Sequence, residues 1–205
     1  MKTTIVIVRH TETIGNIEKR LTGKHDYEIT PRGEILISKL TQELKDIPFD
    51  KVYSSPSGRA IKTVEPLAKW NKVPIEIDQE LSEIFFGEYD GWKWEDVNRI
   101  HPNIKATQNK INEICGIPGQ ETMQEVAQRM YQCILKIAQN NEGKNILICS
   151  HGVAIEAFLR KITGVAFCYE REKYCQYNVA INELVYEKNE FHIMRLADIK
   201  YLGGE

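Results

Sequence analysis

Short apolar runs that stop at polar residues are the first pattern along the chain. Residues 4–8 are a β-branched run of five, and residues 145–149 contain the aliphatic run Ile146-Leu147-Ile148. Residues 50–53 and 74–77 are briefer segments with apolar residues. Runs of this length between polar clusters are typical of buried parallel strands. We therefore expect four strands of a common sheet.

Between these runs, apolar residues recur at helical spacing. Thr30 and Pro31 predict an N-cap and a first helical residue, and Thr122 with Glu125 predicts a capping box. Gly164 is placed to end the last of these helices. The buried faces are predicted at Leu36, Ile37, Leu40 and Leu44, at Ala60, Ile61, Val64, Leu67 and Ala68, with Pro66 expected to kink that helix, at Met123, Val126, Ala127, Met130, Ile134, Ile137 and Ala138, and at residues 153–162.

The carboxyl-terminal part alternates apolar and polar residues instead. Residues 179–186 and 191–196 flank Lys188 and Asn189, which predicts an antiparallel hairpin. Strands that alternate with helices predict an α/β fold, a three-layer α/β/α sandwich around a mostly parallel central sheet. We expect one domain over residues 1–205, with a specificity insertion at about 92–118, where the pattern weakens.

Composition and charge narrow the class of protein. The 205 residues carry 27 Lys and Arg against 29 Asp and Glu, and this net charge of -2 argues against nucleic acid as a partner. The chain has no long apolar run and no signal-peptide pattern, which predicts no membrane contact and a cytoplasmic protein. Its five Cys are scattered without CxxC spacing, so we expect reduced packing residues.

Polar residues follow three of the predicted strands. Arg9 and His10 follow the first, residues 54–59 follow the second, and residues 150–152 follow the strand at 145–149. Because ligands of such sheets bind outside the carboxyl ends of the strands, we expect these segments to meet in one crevice. Two His, two Arg and the starts of two helices would suit a phosphate there.

At these residues the sequence resembles the histidine phosphatase family, also called the phosphoglycerate mutase-like superfamily, from residue 5 to about residue 197. The matching pieces are Val8-Arg9-His10-Thr11-Glu12-Thr13 with Asn16, Ser54-Ser55-Pro56 with Arg59, Glu83 in Leu-Ser-Glu-Ile-Phe-Phe-Gly, Pro118-Gly119-Gln120-Glu121, and Ser150-His151-Gly152.

The resemblance implies a role for each matching residue. His10 would form a phosphohistidine, Arg9, Arg59 and His151 would bind the transferred phosphoryl group, and Glu83 would be the proton donor. Further substrate contacts are implied at Asn16, Thr22, Gly23 and Gly152.

The residue types fit that chemistry. A neutral imidazole can attack phosphorus and divide one difficult displacement into two easier ones. Cationic donors stabilise the charge on the equatorial oxygens, and a carboxylic acid protonates the leaving alcohol. This scheme predicts neither a metal nor a cofactor, and no HExxH or similar spacing suggests a metal site.

Each residue also has a simpler interpretation. Arg59 alone could be a solvated helix residue, His151 could be a satisfied imidazole at a helix start, and Glu83 could cap a turn. Thr11 stands where the family pattern usually has Gly, so we expect its side chain to crowd the phosphate or restrict the loop and to alter selectivity. His25, which follows Thr22 and Gly23, has no motif of its own and is expected to be structural or on the surface.

Three functions remain open at this point. The leading hypothesis is a metal-independent phosphatase that acts on a small phosphomonoester, with alpha-ribazole 5'-phosphate or a sugar phosphate favoured, because the segment after Glu83 is similar to phosphatases of the family. The alternatives are a cofactor-dependent phosphoglycerate mutase and a phosphate-binding module without turnover. A monomer and a homodimer are equally compatible with the carboxyl-terminal hairpin.

Overall fold

The computed structural model describes residues 1–101, 117, 119–166 and 171–203, which form a central sheet covered by helices. The strands are β1 (Thr3–Arg9), β2 (Lys51–Ser54), β3 (Ile75–Ile77), β4 (Asn145–Ser150), β5 (Ile181–Glu187) and β6 (Glu190–Asp198). The helices are α1 (Ile14–Ile17), α2 (Pro31–Leu44), α3 (Gly58–Asn71), α4 (Trp94–Ile100), α5 (Met123–Asn140), α6 (Gly152–Thr163) and α7 (Arg171–Tyr174). Short 3-10 turns cover Gln79–Leu81, Gly87–Tyr89 and Lys200–Leu202.

The sheet is mostly parallel, with an antiparallel hairpin at one side. In the described residues its six strands run in the order β3-β2-β4-β1-β5-β6. The first four are parallel to one another, whereas β5 pairs antiparallel with β1 and β6 antiparallel with β5. The predicted α/β class, parallel strands and carboxyl-terminal hairpin are therefore confirmed.

Alternate residues of β1 face two separate cores. Val6 and Val8 pack in a cluster with α2 and α3, and Ile5 and Ile7 pack in a second cluster with α5 and α6. All four are fully buried, as expected for a central strand with helices on both faces. The three predicted layers are thus present. Because the sheet is buried between helices, its strand ends are rigid positions on which a site can be built.

The predicted helix ends are also confirmed. The Thr30 hydroxyl accepts a hydrogen bond from the Gly33 N–H at 2.8 Å, with Pro31 as the first residue of α2. Thr122 and Glu125 form the capping box of α5, and Gly164 ends α6 at φ +71°. Helix α3 continues through Pro66 to Asn71.

The segment predicted as an insertion contains a helix that the pattern did not reveal. Helix α4 occupies Trp94–Ile100 and buries Val97. The helix is too short and too polar to give a clear periodic signal. The rest of the predicted insertion, residues 102–116 and 118, lies outside the described residues. Among the residues that are described, no helix is long and apolar enough to cross a membrane. Cys133, Cys149 and Cys175 are free thiols.

Candidate active site

The carboxyl ends of β1, β4 and β2 meet at one point, as the sequence predicts. Arg9 lies opposite Ser150 in the parallel β1–β4 pair, and Ser54 lies opposite Cys149 in the β2–β4 pair. The next backbone groups continue the contacts, because the His10 N–H donates to the Ser150 carbonyl at 3.0 Å. This register brings the segments after all three strands into a single site.

His10 is buried, and its ring has one defined tautomer. The Nδ1 atom lies 2.7 Å from the Thr11 carbonyl oxygen. A carbonyl can only accept a hydrogen bond, so Nδ1 carries the hydrogen and Nε2 keeps its lone pair. Burial and the nearby Arg9 and Arg59 guanidinium groups hold the pKa of His10 well below its ordinary value. The ring is therefore neutral near pH 7, with Nε2 available as a nucleophile.

His151 is fully buried and lies beside His10, with ring centroids 5.1 Å apart. Its Nδ1 is 3.2 Å from the Arg59 Nη2, and its Nε2 is 2.7 Å from the Ser55 hydroxyl. Because a guanidinium can only donate, Nδ1 is the acceptor and Nε2–H donates to Ser55. Burial and the Arg59 charge lower the pKa of His151 well below its ordinary value. The imidazole is thus satisfied at both nitrogens, as the simpler interpretation expected, and it also lies at the site.

Arg59 is buried, which excludes a solvated helix residue. Its guanidinium donates to the carbonyls of Thr22, Gly23 and His25 at 2.7–3.2 Å and to the Asp26 carboxylate at 3.0 Å. The Nε atom is buried without a partner. Arg59 therefore connects residues 22–26 to His151 at the floor of the site.

Asp90 holds the same loop from the opposite side. Its carboxylate, 5% exposed, accepts hydrogen bonds from the backbone N–H groups of Gly23, Lys24 and His25 and contacts the His25 ring at 2.9 Å. A Cβ atom at Gly23 would lie 2.6 Å from the Asp90 Oδ1 and from the Ile84 carbonyl, so only glycine fits there. His25, which had no assigned role, is a structural partner of Asp90.

Arg9 extends from the last position of β1 over the start of α6. Its Nη1 donates to the Gln176 carbonyl at 2.6 Å, whereas its Nε is buried without a partner. A Cβ atom at Gly152 would approach the Arg9 Nε at 3.4 Å, so the glycine lets the guanidinium lie close to the helix N-terminus. Burial lowers the pKa of Arg9, and the Glu83 carboxylate opposes that change.

Glu83 caps the helix that begins after His151. Its Oε1 accepts from the N–H groups of Ile84 and Ala154 at 3.0 Å, and its Oε2 accepts from Val153 at 3.2 Å. Glu83 therefore does form a cap, as the simpler interpretation expected, although the cap is at the start of a helix and not at a turn. Burial nevertheless raises the pKa of this carboxyl, against the opposing effect of these N–H groups and of Arg9. A carboxyl whose pKa is raised is suited to donate a proton.

Asn16 and Thr11 lie around the backbone of His10. Asn178 Nδ2 donates to the His10 carbonyl at 3.1 Å and to the Asn16 Oδ1 at 3.2 Å. The Thr11 hydroxyl donates to the Gly33 carbonyl at 2.7 Å, and Thr11 is fully buried. This contact directs the Thr11 side chain towards α2 and restricts the loop, which is the second of the two alternatives expected for this residue. Thr11 is an anchor for the loop that follows β1.

Several residues that hold the site together were not predicted from the sequence. Arg129 on α5 donates to the carbonyls of Glu80, Ser82 and Glu83 and pairs with Glu121, whose other oxygen accepts from the Phe85 N–H at 3.3 Å. These contacts fix the segment that carries Glu83. Glu121 was within a matching motif, but its partner Arg129 could not be found without the fold. Asp26, Asp90 and Asn178 are further examples, whereas Ser55 lay within a matching motif without an assigned role.

An open cleft leads to the site. Glu83 lines it together with Gly23, Lys24, Ser57 and Phe85, while the buried rings of His10 and His151 lie outside its lining. Within the described ranges, no group of three or more His, Cys, Asp or Glu side chains is arranged to hold a metal ion.

A three-layer α/β fold with two His, two Arg and a protonatable Glu near its strand ends is an arrangement suited to a phosphoryl group. Comparison with known families is more specific, because the profile of the histidine phosphatase superfamily (branch 1) matches residues 5–199. The chain belongs to this superfamily, as the sequence motifs predict.

Individual relatives include phosphatases and mutases. The chain is 29% identical over 163 residues to the "Uncharacterized phosphatase PhoE" of Bacillus subtilis (strain 168), covering 79% of this chain and 78% of the relative. It is 27% identical over 199 residues to the "Probable phosphoglycerate mutase GpmB" of Salmonella choleraesuis, covering 91% and 86% of the two chains. The solved structure of Bacillus stearothermophilus YhfR superposes with a TM-score of 0.90 at 24% identity, over 98% and 99% of the two chains.

Proposed function

We propose that this chain is a phosphomonoester hydrolase that acts through a phosphohistidine at His10. The observation that carries the proposal is the tautomer of His10, because its Nδ1 is fixed by the Thr11 carbonyl and only Nε2 can attack. A buried neutral imidazole with one free nitrogen is the nucleophile that such a reaction needs. The superfamily of the chain contains both phosphatases and mutases, and the hydrolase is our choice between them.

In the first step, His10 Nε2 forms a bond to phosphorus as the bond to the ester oxygen breaks. Glu83, whose raised pKa favours the protonated form, transfers its proton to the departing oxygen and becomes a carboxylate. In the second step, that carboxylate removes a proton from water while the water oxygen attacks phosphorus and the P–N bond breaks. Inorganic phosphate leaves, and both side chains return to their initial state.

Arg9, Arg59 and His151 are the groups we propose for the phosphoryl oxygens. Each guanidinium has a buried Nε without a partner, and the Arg9 group lies over the start of α6. The hydrogens of Arg59 Nη2 are shared among three acceptors, two backbone carbonyls and the His151 Nδ1. A phosphate dianion would therefore compete with the carbonyl oxygens for these hydrogens. Charged acceptors form the stronger hydrogen bonds, so the exchange favours the phosphate.

The remaining expectations are proposals of the same kind. We propose a small phosphorylated metabolite as substrate, with alpha-ribazole 5'-phosphate and sugar phosphates as the first compounds to assay. The reaction requires no metal or cofactor in this scheme, since the guanidinium groups supply the positive charge. We further propose a cytoplasmic location, no nucleic-acid or membrane partner, and a monomer or homodimer.

The test is to compare the wild type with His10→Ala. We expect the wild type to release phosphate from p-nitrophenyl phosphate and to form an acid-labile, alkali-stable phosphoprotein with labelled substrate. The substitution should abolish the label and reduce turnover by a factor on the order of 10³ or more. A label on another residue, or full turnover by His10→Ala, would refute the proposal.

The same preparation separates the two alternatives. A mutase would interconvert phosphoglycerates, after priming with 2,3-bisphosphoglycerate, faster than it releases phosphate. A binding module would bind phosphate esters and give neither burst nor turnover. Either result would replace the hydrolase.

A further inference from the structure

The side-chain amide of Asn16 has an orientation that backbone groups determine. Its Oδ1 accepts a hydrogen bond from the Thr13 N–H at 3.1 Å and another from the Thr13 hydroxyl at 3.2 Å. An amide NH₂ group cannot accept a hydrogen bond, so the atom that faces the Thr13 N–H must be the oxygen. The NH₂ end of Asn16 is therefore the end that can donate to a ligand.

Asn178 completes this arrangement from a distant part of the chain. Its Nδ2 lies 3.1 Å from the His10 carbonyl oxygen and 3.2 Å from the Asn16 Oδ1. Both neighbours are acceptors, so the Asn178 amide is also fixed, with its NH₂ group between them. One side chain thus connects the backbone of His10 to the orientation of Asn16.

The backbone beside Asn178 is held in a rare conformation. Val179 has φ +56°, a left-handed value that β-branched residues seldom adopt, and it is fully buried. Its N–H donates to the Arg9 carbonyl at 3.2 Å, and its carbonyl accepts from the Tyr201 hydroxyl at 2.7 Å. These contacts hold Asn178 next to the end of β1.

We propose that Asn178 is a positioning residue that keeps the NH₂ group of Asn16 directed at the phosphoryl group held by His10. The inference rests on the proposed phosphatase site and on the substrate contact that the family resemblance implies for Asn16. Asn178 itself would act through Asn16 and the His10 carbonyl, without touching the substrate. In its absence, the Asn16 oxygen would keep only its two hydrogen bonds from Thr13, so the amide would be held less firmly.

The experiment measures the binding of orthovanadate, which mimics the phosphoryl group and requires no turnover. Asn178→Ala removes one donor, and we expect its affinity for orthovanadate to fall by about two- to tenfold. Asn178→Asp places a charged acceptor against two acceptors, and we expect a loss on the order of a hundredfold. Asn140→Asp is the matched control, because Asn140 is an exposed residue at the end of α5, before the amino end of β4.

A double-mutant cycle distinguishes positioning from a general structural effect. In an Asn16→Ala background, Asn178→Ala should change orthovanadate affinity by less than about twofold. In wild-type protein labelled with ¹⁵N, the Asn16 side-chain NH₂ signal, assigned by its loss in Asn16→Ala, should shift when orthovanadate is added. That shift should be absent in Asn178→Asp.

Two results would overturn the inference. One is the same loss of affinity from Asn178→Ala with and without Asn16, and the other is wild-type affinity in Asn178→Asp. Thermal unfolding and circular dichroism would monitor folding. If Asn178→Asp does not fold, Asn178→Ser replaces it, since a hydroxyl has one hydrogen for the two acceptors and should behave as Asn178→Ala does. Failure of the proposed function would appear separately, as absence of turnover in a wild type that binds orthovanadate.

Discussion

Replacing Glu83 by Gln tests the assignment of the acid in the reaction. The side chains have the same shape, and the amide oxygen can keep the hydrogen bonds from the Ile84 and Ala154 N–H groups. The amide NH₂ would then face the Val153 N–H, which lies 3.2 Å from the present Oε2. This donor–donor contact should cost about 1 kcal/mol, so the variant should fold.

The catalytic effect should be much larger than the effect on stability. Loss of general acid catalysis is expected to lower kcat/KM for alkyl phosphates roughly 10²–10⁴-fold, which corresponds to about 2.7–5.4 kcal/mol in the barrier. p-Nitrophenolate needs little protonation as it departs, so its ester should lose far less. Glu80→Gln is a suitable control, since Glu80 is an exposed carboxylate that lines the same cleft.

The assay compares kcat/KM for sugar phosphates and for p-nitrophenyl phosphate over a range of pH. This ratio reports the first step, whereas loss of the base in the second step would lower kcat for both esters. The wild type needs neutral His10 and protonated Glu83 in the first step, and burial lowers the pKa of the former and raises that of the latter. The rate should therefore rise as pH passes the lowered pKa of His10 and fall as pH passes the raised pKa of Glu83. Glu83→Gln should lose the falling limb. An equal loss of activity on both esters would refute the role of Glu83 as the acid.

Two further predictions follow from the site. Thr11→Gly should lower stability by about 1–3 kcal/mol, because it removes the buried bond to Gly33 and adds backbone freedom, while kcat/KM for a panel of phosphomonoesters stays within about twofold. Changed selectivity without a change in melting temperature would contradict this anchor role. Incubation with EDTA should leave hydrolysis unchanged, because guanidinium groups supply the positive charge, whereas orthovanadate should inhibit hydrolysis. A strong loss of activity on chelation, restored by a divalent cation, would contradict the metal-free scheme.

The fold was predictable because its signals are local. Each central strand is a short run whose residues are buried on both faces. Each long helix carries an apolar stripe, and α2, α5 and α6 also have a capping residue at one end. The bounds differ from prediction by a residue or two, as in β1, which extends over Thr3–Arg9. Helix α4 was missed because seven residues with a single buried position give no periodicity.

The site was predictable only in its parts. Arg9, His10 and His151 follow strands directly, so the sheet rule places them together. Other contacts of the site depend on the tertiary fold. Arg59 pairs with Asp26 at a separation of 33 residues, and Glu83 caps a helix residue 71 positions away. Asn178 donates to the His10 carbonyl across 168 positions. No local pattern encodes such pairs. The direction of the Thr11 side chain also depends on a distant acceptor, so the sequence alone could not decide between a crowded phosphate and a restricted loop.

The contacts of the loop at residues 22–26 determine which positions of the site can vary among homologues. Asp90 satisfies its amide hydrogens and Arg59 satisfies its carbonyl oxygens, so the loop's conformation is specified by two side chains outside it. Exposed side chains there, such as Lys24, can diverge to suit a new leaving group without moving the backbone. Positions 26, 59 and 90 lack that freedom and should change only as a set among homologues.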